Sequence, residues 1–140
     1  MINAINILAQ TIEPDQNVIF TGYNVLTASS SNGCSGWLNH NEGSGLFQIT
    51  KPGIYQISFN ANVTPTVAGE IVLNISNSGE SIAGGEMRTP GTTVGTFENV
   101  SAMILVRVPC GGSTTITVKN NTPTNPITLE DASLVITRVA

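Results

Sequence analysis

The only histidine of the chain is the natural place to begin a search for catalytic chemistry. His40 lies in the stretch WLNHNEGSG, which contains no cysteine, and the sequence contains no GxSxG turn that would present a nucleophilic serine. A Ser-His-Asp triad therefore has no support. Most acidic residues are expected on loops or strand ends, where solvated surface is usual; they are Glu42, Glu70, Glu80, Glu86 and Glu98. We expect no catalytic residue, no cofactor and no enzyme activity.

Two pairs of neighbouring acids could supply oxygen ligands to Ca²⁺. Glu13 lies two residues before Asp15, and Glu130 is followed directly by Asp131. A dedicated calcium loop provides ligands at alternating positions over about 12 residues, and neither pair has that spacing. Solvated turns are the better interpretation, and we expect no metal site.

The two cysteines, Cys34 and Cys110, each lie in a Gly-rich stretch and do not form a CxxC pair. A disulfide between them is one alternative. Two reduced, partly buried thiols are the favoured alternative because the amino terminus does not resemble a secretory signal.

Trp37, Asn39 and His40 form the candidate ligand loop of the sequence. An exposed tryptophan could stack on a sugar ring, whereas a buried one would cap a β-sandwich, and the buried alternative is favoured. Residues 28–44 and 78–93 are long, rich in Gly, Ser and Asn, and expected to be loops that could form a ligand site. A glycan is therefore kept as a candidate partner.

Charge and hydropathy exclude two classes of partner. Charged residues make up only 10% of the chain, and the formal net charge is −4 at pH 7. Binding to nucleic acid phosphates requires clustered basic side chains, and here the basic residues are scattered: Lys51, Arg88, Arg107, Lys119 and Arg138. No apolar run reaches the roughly 18 residues that a membrane helix needs. We expect neither nucleic acid nor membrane as a partner.

The elements that would position these side chains are clearest in residues 45–63, GLFQITKPGIYQISFNANV. Pro52 pre-sets a turn, and Gly53 can take the positive φ that follows it. Alternate side chains of the next strand share one face. The apolar face consists of Tyr55, Ile57, Phe59, Ala61 and Val63.

Short β-strands separated by Gly, Pro, Asn and Ser clusters are expected along the whole chain. They cover residues 4–10, 17–20, 36–38, 46–49, 54–63, 70–76, 94–97, 100–108, 114–119 and 132–139. This spacing, with no helical period, is typical of a β-sandwich or jelly roll. A chain of 140 residues corresponds to one domain, 1–140, in which residues 1–16 are either a first strand or an attachment arm.

The strands fall into two kinds. Residues 70–76 and 114–119 alternate apolar with polar side chains, which predicts one solvated face, whereas residues 100–108 and 132–139 are apolar on both faces. A strand of the second kind needs cover on both sides, and the sequence offers no helix, so another subunit is expected to supply it. The expected core residues are Tyr55, Ile57, Phe59, Ile104 and Val106. The expected trimer interface residues are Gln56, Ser58, Asn60, Met103, Leu105 and Arg107.

These motifs resemble those of the trimeric jelly-roll superfamily of tumour necrosis factor and the complement globular heads. The shared elements are a Gly-x-Phe strand at Gly45 and Phe47, the Pro-Gly turn, a Tyr-x-x-x-Phe strand at Tyr55 and Phe59, and a Ser-Leu-Val-Ile strand at residues 133–136. The sequence is most similar to the bacterial and phage branch, which includes the heads of collagen-like spore-surface glycoproteins. The resemblance implies a ten-strand sandwich that forms a homotrimer. The chain contains no Gly-x-y run, which argues against a spore-filament role.

The leading functional expectation is a structural protein of a phage particle. A homotrimer would fold in the cytoplasm and decorate the virion surface, as a capsid decoration or head-fibre protein, with a capsid or other particle protein as its partner. The alternative is a receptor- or glycan-binding head of a tail fibre, or of a spore or cell surface.

Overall fold

The computed structural model describes residues 1–27 and 36–140 and contains two antiparallel β-sheets, with no helix in these residues. The strands in the described residues are β1 Ile2–Asn6, β2 Gln10–Ile12, β3 Gly22–Leu26, β4 Leu38–Asn39, β5 Phe47–Ile49, β6 Gly53–Pro65, β7 Ile71–Asn77, β8 Glu80–Thr89, β9 Glu98–Val108, β10 Thr114–Asn120 and β11 Ile127–Arg138. The expected all-β jelly roll is confirmed, with eleven strands described rather than ten.

The six-stranded sheet has the order β3-β1-β11-β6-β9, with β2 also paired to β11, and the five-stranded sheet has the order β4-β5-β10-β7-β8. β11 pairs with both β1 and β2, and its pairing with β6 is interrupted by a bulge between Glu130 and Ser133, where Asp131 has a φ of 53°. The first and last strands are neighbours, since Ile2 lies opposite Ile136.

The turn before β6 forms because of its proline and glycine. Gly53 has a φ of 156°, and a Cβ there would lie 2.7 Å from the Ala140 carbonyl oxygen, so a larger residue would not fit. Beyond the turn the alternation predicted from the sequence holds, and Tyr55, Ile57 and Phe59 are at most 1% exposed. β6 can therefore lie between β11 and β9 with its apolar face in the core.

The core lies between the two sheets and draws side chains from both. Phe20 meets Phe47 edge to face with ring centroids 5.4 Å apart, and it meets Phe59 in the same manner at 6.4 Å. Phe47 belongs to the five-stranded sheet and Phe59 to the six-stranded sheet. The aromatic cluster therefore connects the two layers, a geometry that adds to the stability gained from area burial alone.

Several expected elements differ from the structure: the expected strand at residues 4–10 is divided into β1 and β2, and β3 was not expected. Residues 94–97 are not a strand but part of the loop that leads into β9. Residues 17–20 make only two isolated bridges, Asn17 with Lys119 and Phe20 with Ser44. The expected loop at residues 78–93 is mostly strand β8. The alternation of inward and outward side chains in this strand is interrupted, because residues 82–85 form a bulge opposite Ile75.

The expectation of a solvated face is wrong for β7 and for the centre of β10. Val72, Asn74 and Ser76 of β7 point away from the core, yet they are 6%, 5% and 0% exposed. Thr117 of β10, opposite Ser76, is 3% exposed. Both strands are internal in the five-stranded sheet, so the apolar–polar alternation alone did not indicate exposure.

Candidate functional site

The outward side chains of β6 and β9 form one continuous surface, the β6/β9 face. It contains Gln56, Ser58 and Asn60 of β6 and Met103, Leu105 and Arg107 of β9. The register places Ser58 opposite Met103 and Gln56 opposite Leu105. The structure thus brings all six residues expected at an interface to the same side of the six-stranded sheet.

Two large apolar side chains of the β6/β9 face extend into solvent. Met103 is 61% exposed and Leu105 is 63% exposed, whereas Ile104 and Val106, on the inward side of the same strand, are each 8% exposed. The Gln56 amide nitrogen Nε2 donates a hydrogen bond to the Met103 sulfur at 3.1 Å. Burying one such side chain completely contributes about 1.5–3 kcal/mol, so covering this face would be favourable.

Trp37 closes one end of the sandwich. Its ring lies 4.9 Å from the Tyr55 ring, centroid to centroid, and the residue is half-buried against the core. The Thr50 N–H donates to the Trp37 carbonyl oxygen at 2.9 Å and fixes the backbone there. This geometry matches the alternative in which the tryptophan ring covers the end of the sandwich, rather than the alternative of an exposed ring that stacks on a sugar.

His40 connects edge regions of the two sheets through directed contacts. Its Nε2 donates to the Ser44 carbonyl oxygen at 2.8 Å, so its Nδ1 must accept from the Tyr23 hydroxyl, 2.5 Å away. The ring also stacks on Phe47, with centroids 4.0 Å apart and an interplanar angle of 4°. Tyr23 belongs to β3 of one sheet and Phe47 to β5 of the other.

The protonation states agree with this geometry. Burial lowers the pKa of His40 below its ordinary 6.5, although the hydrogen bond to Ser44 and the charge of Glu42 act in the opposite direction. Burial, with a smaller effect from Glu42, raises the pKa of Tyr23 above 10.0. Both groups are neutral at pH 7. Because both ring nitrogens of His40 already have partners, its contacts are those of a structural link rather than a general base.

A cleft of about 310 Å³ opens beside this histidine, and we name it the amide cleft. Three of its lining residues, Asn39, Asn41 and Gln48, carry amides, and the others are His40, Ser44, Leu46 and Thr115. Asn39, Gln48 and Thr115 form one cross-strand row over β4, β5 and β10. Asn39 and His40 of the candidate ligand loop therefore line a cleft, whereas Trp37 does not.

The cysteines are not brought together by the described structure. Cys110 is free and exposed rather than partly buried, at the rim of a second cavity of about 280 Å³ whose lining includes Pro52, Ile54 and Val108. Cys34 lies outside the described residues, as does part of the expected loop at residues 28–44. The favoured reduced state of both thiols stays a prediction.

The other chemical groups lie apart from one another. Within residues 1–27 and 36–140, no three histidine, cysteine or acidic side chains group as metal ligands. Asp15, expected in a solvated turn, forms a long ion pair with Lys119 at 3.8 Å. In the same part of the chain, no helix has the length and apolar character needed to cross a membrane.

Sequence reasoning does not identify Tyr23, Leu46, Gln48 or Thr115 as site residues. Leu46, Gln48 and Thr115 lie on or beside two strands that the sheet register brings together, and Tyr23 is joined to them through its hydrogen bond with His40. One signal was available, because the alternation in FQI and TTITVK already places Gln48 and Thr115 on the outward side of their strands.

Comparison with known proteins supports the fold. No protein-family model matches the sequence, and no curated protein is similar to it at a significant level. Among solved structures, the globular domain of the zebrafish complement 1qA protein superposes with a TM-score of 0.62 and 14% identity, covering 96% of this chain and 94% of that one.

Two further structures have the same architecture. Murine APRIL at pH 5.0 has a TM-score of 0.64 at 10% identity and covers 99% of this chain and 98% of its own. The Eiger TNF of S. frugiperda has a TM-score of 0.66 at 10% identity and covers 99% and 92%. The neighbours are complement and TNF-type heads, so the expected TNF/C1q-like fold is confirmed.

Proposed function

We propose that this chain is a non-enzymatic head that assembles as a homotrimer through the β6/β9 face. The observation that carries the proposal is the exposure of Met103 and Leu105, 61% and 63%, on a strand whose inward side is already in the core. No part of the described chain covers these side chains. A second copy is the simplest cover, since the surrounding Gln56, Ser58 and Asn60 are uncharged and can be buried against polar groups of a partner.

The fold supports a trimer rather than a dimer, because the structural neighbours are TNF/C1q-like heads and the sequence motifs resemble a superfamily of trimers. The test is the mass of the purified chain in solution by light scattering. A mass about three times the 14.6 kDa of one chain is expected. A stable mass of one chain in dilute buffer would overturn the proposal.

We further propose that the trimer is displayed on a phage particle, assembled in the cytoplasm and bound to a capsid or other particle protein. A three-fold oligomer suits the local three-fold positions of an icosahedral shell. Charged residues make up only 10% of the chain, and the surface is rich in Thr, Asn and Gly, which limits non-specific charge-driven binding. Quantitative mass spectrometry of purified particles should find the chain at high copy number. Its presence in only a few copies at the tail would contradict a decorating role.

The second candidate function is recognition, as a receptor- or glycan-binding head of a tail fibre or of a spore or cell surface. The amide cleft favours this candidate, because it is a concave site lined mostly by polar residues and lies outside the β6/β9 face. Attachment of the labelled protein to host cells should then fall when the cleft is altered. Equal attachment by a cleft variant would count against recognition through this site.

A further inference from the structure

We infer that the amide cleft binds a neutral sugar ring. The inference rests on the second candidate function, recognition, and does not depend on the trimer. The volume of the cleft, about 310 Å³, lies at the lower end of the range for small-molecule sites, about 300–1,000 Å³. A site of this size suits one sugar ring rather than an extended peptide.

The chemistry of the lining matches a polyhydroxylated ligand. Amide side chains offer both donors and acceptors, as do hydroxyls, so neighbouring sugar hydroxyls can each be paired in both directions. Asn39, Gln48 and Thr115 supply such groups from a single cross-strand row. In this row the Asn39 Nδ2 donates to the Gln48 Oε1 at 3.4 Å, which leaves the Gln48 Nε2 without a side-chain hydrogen bond in the described structure.

The apolar part of the cleft has a matching role. Leu46 is 51% exposed at its edge, on the same outward side of the five-stranded sheet. A sugar ring has C–H groups on its faces as well as hydroxyls on its perimeter, and an exposed aliphatic side chain can pack against them. The combination of amides and one aliphatic group is poorly suited to an entirely apolar ligand, because the amides would lose water without replacement partners.

Electrostatics select a neutral ligand rather than an acidic one. None of the described lining residues carries a formal charge at pH 7, since His40 is neutral and held by Tyr23 and Ser44. The nearest acid in chain order is Glu42, whose charge acts on both His40 and Tyr23. An anionic sugar would find repulsion and no basic partner in this cleft.

The scaffold is fixed before binding. The imidazole of His40 is clamped by two hydrogen bonds and by its stack on Phe47, and the Leu46 N–H donates to the Ser44 hydroxyl at 3.0 Å. A wall held in this way loses little freedom when a ligand binds, which favours binding by a shallow site.

The test is a titration of the ¹⁵N-labelled protein with methyl β-galactoside, methyl β-glucoside, N-acetylglucosamine and N-acetylneuraminic acid, followed by NMR. We expect shifts of the side-chain amide signals of Asn39, Asn41 and Gln48 with at least one neutral sugar, and weaker shifts with the acidic one. Gln48→Ala should weaken binding about tenfold, because it removes a hydrogen-bonding side chain from the cross-strand row. Gln16→Ala, at an exposed glutamine outside the cleft, is the matched control and should leave binding unchanged.

Two results would overturn the inference. One is the absence of amide shifts with all three neutral sugars, and the other is binding that Gln48→Ala does not weaken. A protein that attaches to cells through this cleft but binds no sugar would overturn the sugar site alone and leave recognition standing. Light scattering on the same samples measures the oligomeric state independently of sugar binding.

Discussion

Leu105 is the residue on which the proposed assembly is most directly testable. Leu105→Asp should reduce the solution mass to one chain, because a carboxylate buried in an interface without a partner costs several kcal/mol in each copy. Far-UV circular dichroism should stay that of a β-sandwich, since Leu105 is 63% exposed in the single chain. Leu46→Asp, at a leucine 51% exposed directly before β5 of the five-stranded sheet, is the matched control and should remain a trimer. A trimer of Leu105→Asp would mean that the interface lies elsewhere.

Buried hydroxyls give a second test at this scale. The Thr117 Oγ1 is buried with no hydrogen-bond partner in the described structure, so Thr117→Val should raise the free energy of unfolding by about 0.5–2 kcal/mol. The control is Thr122→Val, because the Thr122 Oγ1 accepts a hydrogen bond from the Val72 N–H at 3.1 Å and its loss should cost about 1–3 kcal/mol. Urea unfolding measures both changes. Equal changes in the free energy of unfolding would contradict the difference between an unpaired Thr117 hydroxyl and a paired Thr122 hydroxyl.

His40 should make stability depend on pH. Since burial lowers its pKa in the folded state, the unfolded chain binds the proton more tightly, and stability falls as the pH drops through the unfolded pKa near 6.5. The urea midpoint should therefore decrease between pH 7.5 and pH 5.5. His40→Gln should flatten this part of the profile because the chain has no other histidine. An unchanged slope in the variant would assign the dependence to another group.

At the scale of single elements, β6 contributes many of the core side chains, and Phe59 is the clearest of them to test. Phe59→Ala should lower the free energy of unfolding by about 3–5 kcal/mol, because the ring is 1% exposed and packs on Phe20 across the sandwich. Phe97→Ala, at a phenylalanine 39% exposed before β9, should cost about 1 kcal/mol or less. Chemical denaturation compares the two, and similar losses would contradict the assigned core.

The elements that the sequence could reveal are those whose pattern is local. The apolar–polar alternation in β6 predicts that strand and both of its faces, because side chains at i and i+2 must point the same way, and the apolar residues on both sides of β9 predict a strand covered on both faces. β8 was missed because its bulge interrupts the alternation, and that bulge is defined only by its partner strand. The link between Tyr23 and His40 joins residues 17 apart across two sheets, so no local pattern contains it.

At the scale of the whole molecule, assembly and folding should be coupled. If the β6/β9 face is buried between copies, the native trimer is favoured by mass action, and the melting temperature should rise with protein concentration. Differential scanning calorimetry over a hundredfold dilution series would measure this. The Leu105→Asp variant should melt at a temperature independent of concentration, and the same independence in the unmodified chain would argue against the trimer.

The whole-molecule architecture was predictable because short motifs at fixed spacing, such as the Pro-Gly turn before β6, limit the possible sandwiches. The amide cleft was not, since it depends on the order in which β4, β5 and β10 lie side by side. Burial on β7 was also not predictable from the sequence, because the exposure of Ser76 depends on the strands that lie beside it in the sheet. Local sequence determines the direction of a side chain, and the sheet around it determines its accessibility.

The pairing of the first strand with the last has a practical outcome for display. Ile2 faces Ile136, and the Met1 amine donates to the Thr27 hydroxyl while the Ala140 N–H reaches Ile54, so both chain ends emerge from the same pole of the sandwich. A passenger peptide fused to either end would leave from that pole without crossing either sheet. In a three-fold assembly the three passengers would point to a common side, which makes this head a candidate carrier for trivalent antigens.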